Sequence, residues 1–284
     1  MSDLTGTWER EGRNPIVGAF LLVLLTGSVY FVVQTAAQGV LVGIDAARGN
    51  VSSGEVVSDA YRNALLLIIM ITQYGLMLAA PLLLIRRWHT RRLASYMRLR
   101  RLPWGGLVVG VVAALAIIPP AQLIADVLYE FFPGLRTLAE RSSFLVEANE
   151  PREFALVFVA IALTPALCEE FLFRAYFQRT IERRMGGWWS VVVTGTLFAL
   201  FHQQILTLPS LILVGLLLSY LYFAYGSPYP GVVAHLVYNG VQIVAANSAG
   251  GASGVEADSW SYAAFVAGAV VVLAAAVLIA ERAR

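Results

Sequence analysis

Long apolar stretches separated by short polar loops dominate this chain. A transmembrane helix needs roughly 20 mostly apolar residues, and eight segments of the chain meet or nearly meet that length. The pattern therefore predicts an all-α, polytopic membrane protein with about eight transmembrane helices. The predicted spans are 15–43, 62–85, 105–130, 154–178, 188–205, 207–226, 230–248 and 260–280.

The composition supports this class. Of the 284 residues, 58% are hydrophobic and 13% are charged, whereas soluble domains are about half apolar and a quarter charged. The first span is too long for the core of a signal peptide and lacks an evident cleavage site, so it is expected to be retained. The single cysteine, Cys168, excludes an internal disulfide framework and a Cys-cluster metal site. No repeat or linker is evident, which predicts a single integral-membrane domain over 1–284.

The distribution of arginine predicts the orientation. The chain has no lysine, a hint of a GC-rich prokaryotic genome, and the expected location is a prokaryotic plasma membrane. By the positive-inside rule the loop between spans two and three is cytoplasmic, and eight spans then place both termini in the cytoplasm. The same loop has a second interpretation, attraction of anionic lipid or of an acidic substrate tail; its His89 is expected to be a surface histidine. The arginines of this loop are Arg86, Arg87, Arg91, Arg92, Arg98, Arg100 and Arg101.

Two local features concern helix geometry. The segment 131–153 mixes apolar and charged residues, which favours an interfacial amphipathic helix on the outer face or a plain connector. Prolines at Pro119-Pro120 and at Pro165 predict distorted helices, either as simple packing kinks or beside a polar cavity. Pro165 frees the carbonyl of Ile161, four residues earlier, and cavity water beside Glu169 is expected to satisfy it.

Two adjacent carboxylates, Glu169 and Glu170, lie inside an apolar span. Burying ionised acids in a membrane is costly, so such residues are functional candidates by default. Glu170 and Arg174 are spaced i, i+4 and share a helix face, which predicts an ion pair. Neighbouring carboxylates disfavour each other's ionisation at low dielectric. With Glu170 compensated by Arg174, Glu169 remains as the candidate general base; a purely structural salt bridge is the alternative.

Two later spans carry polar residues that extend this cluster. Glu169 and His202 are each roughly 15–18 residues from the turn at 185–187, so at ~1.5 Å per residue they reach similar depth on antiparallel helices. His235 and Asn239 share one face at i, i+4. Both side chains are able to donate hydrogen bonds to a developing oxyanion; helix–helix hydrogen bonding explains the pair equally well.

The three motifs E-E-x-x-x-R, F-x-x-x-H and H-x-x-x-N occur in this order between Glu169 and Asn239. In this the chain resembles the CAAX protease and bacteriocin-processing family, intramembrane proteases typified by the Ras-converting CAAX endopeptidase of the endoplasmic reticulum. The resemblance implies a four-helix catalytic core from spans four to seven, residues 154–248. It implies that Glu169 activates the attacking water with help from His202, that Glu170 and Arg174 support the site, and that His235 and Asn239 stabilise the oxyanion.

The family is called metalloprotease, and a glutamate mechanism without tightly held metal has also been proposed for it. A zinc ion bound by Glu169, His202 and His235 would leave one position open for water. The chain lacks the H-E-x-x-H helix motif of zinc proteases, so we favour the metal-free interpretation; the expected cofactor is none or a zinc ion.

The resulting hypothesis is an intramembrane endopeptidase that cleaves membrane-associated proteins or peptides. Its site is expected ~10–15 Å inside the cytoplasmic surface, in a cavity open to the cytoplasm. The expected partners are membrane lipid and a membrane protein or peptide substrate, with no nucleic acid. The alternatives are a non-catalytic peptide-binding or bacteriocin-immunity scaffold and a proton-coupled transporter.

Overall fold

A computed structural model describes residues 6–48, 58–99, 102–134, 143–203, 207–248 and 259–282. Within these ranges every regular element is helical. The prediction of an all-α polytopic membrane protein is confirmed, because six described helices are long and apolar enough to cross a membrane. These are Pro15–Ala47, Asp59–Trp88, Trp104–Phe131, Pro151–Met185, Leu208–Tyr225 and Phe265–Arg282.

Each of the predicted spans corresponds to a helix. Two are less typical of a span than the others: Gly187–Phe201 has only 15 residues, and Tyr229–Asn247 carries polar side chains along its length. In chain order the helices are α1 Thr7–Arg10, α2 Pro15–Ala47, α3 Asp59–Trp88, α4 Leu93–Tyr96, α5 Trp104–Phe131, α6 Pro151–Met185, α7 Gly187–Phe201, α8 Leu208–Tyr225, α9 Tyr229–Asn247 and α10 Ser259–Arg282.

The glutamate pair lies between two widened turns of α6. The helix is π-helical over Phe158–Leu163 and again over Phe171–Gln178, and the α-helical stretch Thr164–Glu170 between them carries both glutamates. π-helical turns inside α-helices are frequent at functional sites. Pro165 lies two residues beyond the end of the first π-helical turn, so the predicted distortion is present next to it. Pro119 and Pro120, in contrast, lie inside the continuous helix α5.

Helix α6 is among the most buried of the long helices. Its residues from Leu172 to Gln178 are all buried, although Arg174 and Gln178 are polar. Helix α7 packs on α8, and α5 packs on α9 and α10. The α7–α8 contact is close because glycine faces glycine: a Cβ on Gly195 would lie 2.8 Å from the backbone nitrogen of Leu216. Small residues of this kind let membrane helices approach closely.

His89 lies in the arginine-rich loop that follows α3. The prediction that His89 is a surface residue is wrong: His89 is fully buried, and its Nε2 lies 2.9 Å from the Tyr176 hydroxyl. The N-terminal segment covers His89, because the Gly6 N–H donates a hydrogen bond to the His89 carbonyl.

The predicted amphipathic helix over 131–153 is only partly described, because residues 135–142 lie outside the described part. Beyond them the chain forms a 3₁₀ turn at Ser143–Leu145 before α6 begins.

Four arginines surround a cavity of about 730 Å³ at the end of the bundle that carries this loop. They are Arg10, Arg86, Arg87 and Arg91. Attraction of anionic lipid by this loop stays a prediction.

Candidate active site

Glu169 is held by a residue that the sequence analysis missed. The Gln73 side chain, in a π-helical turn of α3, donates from Nε2 to Glu169 Oε1 at 3.0 Å. Glu169 is only 6% exposed, and among the described residues its Oε2 has no hydrogen-bond partner. The signal for Gln73 was available, because an amide within the apolar segment 65–78 is a polar group in an expected span.

His202 lies opposite the free carboxylate oxygen of Glu169. It follows the last residue of α7, and its Nδ1 lies 2.8 Å from the Phe198 carbonyl oxygen. A carbonyl oxygen only accepts, so Nδ1 carries the proton and Nε2 of the neutral ring is an acceptor. This Nε2 is 3.9 Å from Glu169 Oε2. The predicted proximity of Glu169 and His202 is therefore confirmed as geometry.

Glu170 and Arg174 form the predicted ion pair, and both side chains are completely buried. Arg174 Nη1 is 2.5 Å from Glu170 Oε1, and Nη2 donates to the Gly215 carbonyl at 3.2 Å. His235 adds a contact that the spacing did not predict, since its Nδ1 lies 3.1 Å from the same Oε1. Glu170 thus links α6 to α9, whereas Glu169 contacts Gln73 of α3 and faces His202 at the end of α7.

Phe198 explains the aromatic position of the F-x-x-x-H motif. The Arg174 guanidinium lies over its ring at 4.3 Å from the centroid. The same ring packs edge-on against His202 at 4.7 Å and His235 at 5.8 Å between centroids. A cation over an aromatic face is favourable, more so when both are desolvated. One ring therefore packs against the Arg174 guanidinium and against both histidines.

Asn239 satisfies the carbonyl that Pro165 leaves without a helical donor. Its Nδ2 donates to the Ile161 oxygen at 3.0 Å. The amide of a neighbouring helix therefore reaches the π-helical turn directly; a cavity water at the second lone pair of this carbonyl stays a prediction. The described contact of Asn239 is thus a helix–helix hydrogen bond, and a second N–H of its amide is left over.

The four residues predicted to be catalytic line one cavity of about 520 Å³. These are Glu169, His202, His235 and Asn239. Glu170 and Arg174 are packed behind it. The other walls come from α2, α3, α5, α8 and α9, and include Tyr30, Gln73, Ile118, Gln122, Tyr129, Ser210, Val214, Tyr238 and Gln242.

The cavity lies in the half of the bundle away from the arginine-rich loop. It is lined by the second half of α5, the first part of α8 and the second half of α9, all of which lie towards that opposite end. A cavity opening at the arginine-rich end, as the sequence analysis expected, is therefore wrong. Counting residues from Arg179 does not reveal at which end of the bundle the helices separate.

The predicted zinc set is not assembled in the described part of the chain. There, no three side chains of His, Cys, Asp or Glu are grouped closely enough to hold a metal ion. His235 Nδ1 is engaged by Glu170, and His202 Nδ1 by a backbone carbonyl.

Gly231→Ala should disturb the site through Glu170. A Cβ at Gly231 would lie 2.7 Å from Glu170 Oε2, so the carboxylate would have to move away from Arg174 and His235. Overpacking of this kind costs about 1–3 kcal/mol. We expect a lower melting temperature in detergent, measured by tryptophan fluorescence. Gly39→Ala on α2 is the control, because nothing lies within 4 Å of its Cβ. Equal melting temperatures for the two variants would contradict the close packing.

Fold and site together define a class: an integral membrane protein of apolar helices that encloses a buried glutamate–histidine cluster beside a cavity. Residues 151–241 match the family model described as Rce1-like, type II CAAX prenyl endopeptidase. The resemblance predicted from the three motifs is thereby confirmed over this segment, which contains every candidate site residue except Gln73. The match supports a CAAX-type intramembrane protease. No curated protein matches the chain.

Proposed function

We propose that this protein is an intramembrane endopeptidase in which Glu169 and His202 activate a water molecule for peptide-bond hydrolysis. One observation carries the proposal. Glu169 Oε2 and His202 Nε2 face each other over 3.9 Å at the wall of a cavity, and both are acceptors when the carboxylate is ionised and the ring is neutral. Two acceptors at this separation are too far apart for a direct hydrogen bond and are suited to a water that donates to both.

The chemistry follows from that arrangement. The water oxygen attacks the scissile carbonyl carbon while Glu169 Oε2 accepts one water proton, which gives a tetrahedral oxyanion. The amide nitrogen then takes this proton from Glu169, the C–N bond breaks, and a carboxyl and an amine product leave. Gln73 holds Oε1 so that Oε2 is the oxygen presented to the cavity.

His235 and Asn239 are proposed to stabilise the oxyanion. His235 gives Nδ1–H to Glu170, so its Nε2 donates only when the ring carries both protons. The Glu170 carboxylate is the counter-ion for that state. The second N–H of the Asn239 amide is the other donor.

The proposed substrates are segments of membrane proteins or peptide precursors that enter the cavity from the bilayer or its surface. The proposed location is a prokaryotic plasma membrane with both termini in the cytoplasm, in agreement with the arginine distribution.

A peptide-cleavage assay tests the proposal. A quenched peptide library is incubated in detergent with the native protein, His202→Ala and Glu130→Gln, a control at the exposed end of α5. We expect His202→Ala to lose about 10²–10⁴-fold in kcat, while Glu130→Gln cleaves like the native protein. Cleavage by His202→Ala at the native rate would refute the assignment.

Metal content separates the two mechanisms. We expect cleavage to persist after treatment with a zinc chelator, because no step above requires a metal, and zinc measured by mass spectrometry to be far below one ion per chain. Stoichiometric zinc in the native protein that is lost in His202→Ala would establish the metal mechanism instead.

A further inference from the structure

The cavity with the candidate catalytic residues is located in one half of the bundle. Helix α5 runs away from the arginine-rich loop and lines the cavity between Ile118 and Tyr129, near its far end. Helix α8 runs towards the arginine-rich end and lines it only with its beginning, from Ser210 to Val214. Helix α9 runs away again and lines it from His235 onward. All three place the cavity at the same end.

The other half of the bundle is filled. Between the glutamates and the arginine-rich end, α6 contributes Phe173, Tyr176 and Phe177, none of which is exposed. Helix α8 adds Leu221 and Tyr222, which are at most 1% exposed. Packed aromatic and aliphatic side chains of this kind exclude water and peptide. In the part of the chain that the structure describes, the space beside Glu169 therefore extends towards the end opposite the arginines.

The distribution of charged residues indicates which end of the bundle is cytoplasmic. The segments at the filled end carry most of the arginines, namely Arg10, Arg13, Arg86, Arg87, Arg91, Arg92, Arg98, Arg179, Arg183, Arg184 and Arg282. The segments at the cavity end carry a mixture dominated by acids, including Asp45, Asp59, Glu130, Glu147, Glu150 and Glu153. Of the few arginines there, Arg62 is neutralised by Glu153 at 2.8 Å. By the positive-inside rule the filled end is cytoplasmic.

We propose that the active site opens to the extracytoplasmic side of the membrane. This inference rests on the proposed function and narrows its substrates to extracytoplasmic segments of membrane proteins and to exported peptide precursors. A peptide tail that stays on the cytoplasmic side would meet the packed half of the bundle.

Cysteine labelling tests the orientation without reference to activity. Cys168 is the only cysteine and is buried, so Cys168→Ala supplies the background. Gln242→Cys places a thiol at the exposed mouth of the cavity, and Arg184→Cys places one at the exposed arginine-rich end. Bacterial cells expressing each variant are treated with a membrane-impermeant maleimide before and after permeabilisation.

We expect Gln242→Cys to be labelled equally in intact and permeabilised cells, and Arg184→Cys to be labelled only after permeabilisation. Labelling of Gln242→Cys only after permeabilisation, or of Arg184→Cys in intact cells, would overturn the proposal. If the labelling is as expected but Glu169→Gln cleaves normally, the orientation stands and the proposed chemistry fails; the two results are thus separable. A reporter peptide fused to an extracytoplasmic tail should also be cut in cells, and its cytoplasmic counterpart should not.

Discussion

Glu169→Gln should reduce peptide cleavage about 10²–10⁴-fold, the usual contribution of a general base. The amide keeps the shape of the side chain and still accepts from Gln73 through its oxygen. It has no basic oxygen to take the water proton at the cavity wall. The measurement is kcat on a peptide that the native protein cleaves, with the melting temperature determined on the same preparation.

The substitution is informative because Glu169 is an acidic side chain that is only 6% exposed. Removal of its charge leaves Glu170 with Arg174 and His235, so we expect the melting temperature of Glu169→Gln to stay the same or rise. Glu130→Gln is the matched control, since it makes the same chemical change at an exposed position. A variant that cleaves as fast as the native protein would refute the role of Glu169; a variant that loses activity only because it unfolds would show a structural role.

Arg174→Met should have the largest effect on stability. The Arg174 guanidinium is completely buried, pairs with Glu170, donates to the Gly215 carbonyl and lies over Phe198. Methionine fills similar space but leaves the buried Glu170 carboxylate without the guanidinium that pairs with it. Breaking a buried pair from one side costs about 3–5 kcal/mol. The expected result is a large fall in melting temperature in detergent, or failure to purify as a monodisperse protein.

The double variant Glu170→Met/Arg174→Met is the control for this effect. It removes both charges and should recover much of the lost stability, because an apolar replacement of a buried ion pair is often neutral. Glu170→Gln is the intermediate case, with partial loss of activity through His235 and reduced stability. If the double variant is no more stable than Arg174→Met, the cost arises from lost packing on Phe198 and not from an unpaired Glu170.

Two contacts of the site were predictable because their residues are close in sequence or lie equally far from one tight turn. The ion pair of Glu170 with Arg174 needs only the spacing i, i+4 on a helix. The approach of Glu169 and His202 follows from equal distances to one tight turn. In both cases a short piece of regular helix fixes the relative position, and the structure contains both contacts.

The contacts across the bundle were not predictable in this way. Gln73 is 96 positions from Glu169 along the chain, and helical periodicity says nothing about which face of α3 meets α6. The contact of His235 with Glu170 and that of Asn239 with Ile161 depend on how α9 is rotated against the π-helical turns of α6. Those turns shift the register of the helix by a fraction of a turn, which an ideal period of 3.6 residues does not anticipate.

By itself the sequence determined the all-α membrane class, the positions of the long apolar helices and the polar residues within them. Charged groups in hydrocarbon are costly, so they mark candidate functional positions. Only the tertiary structure decided which partner each polar group has and at which end of the bundle the cavity lies. The physical reason is that helix separation depends on the packing of side chains from α5, α6, α8 and α9 together. Large side chains fill the arginine-rich half, and the helices leave space in the other.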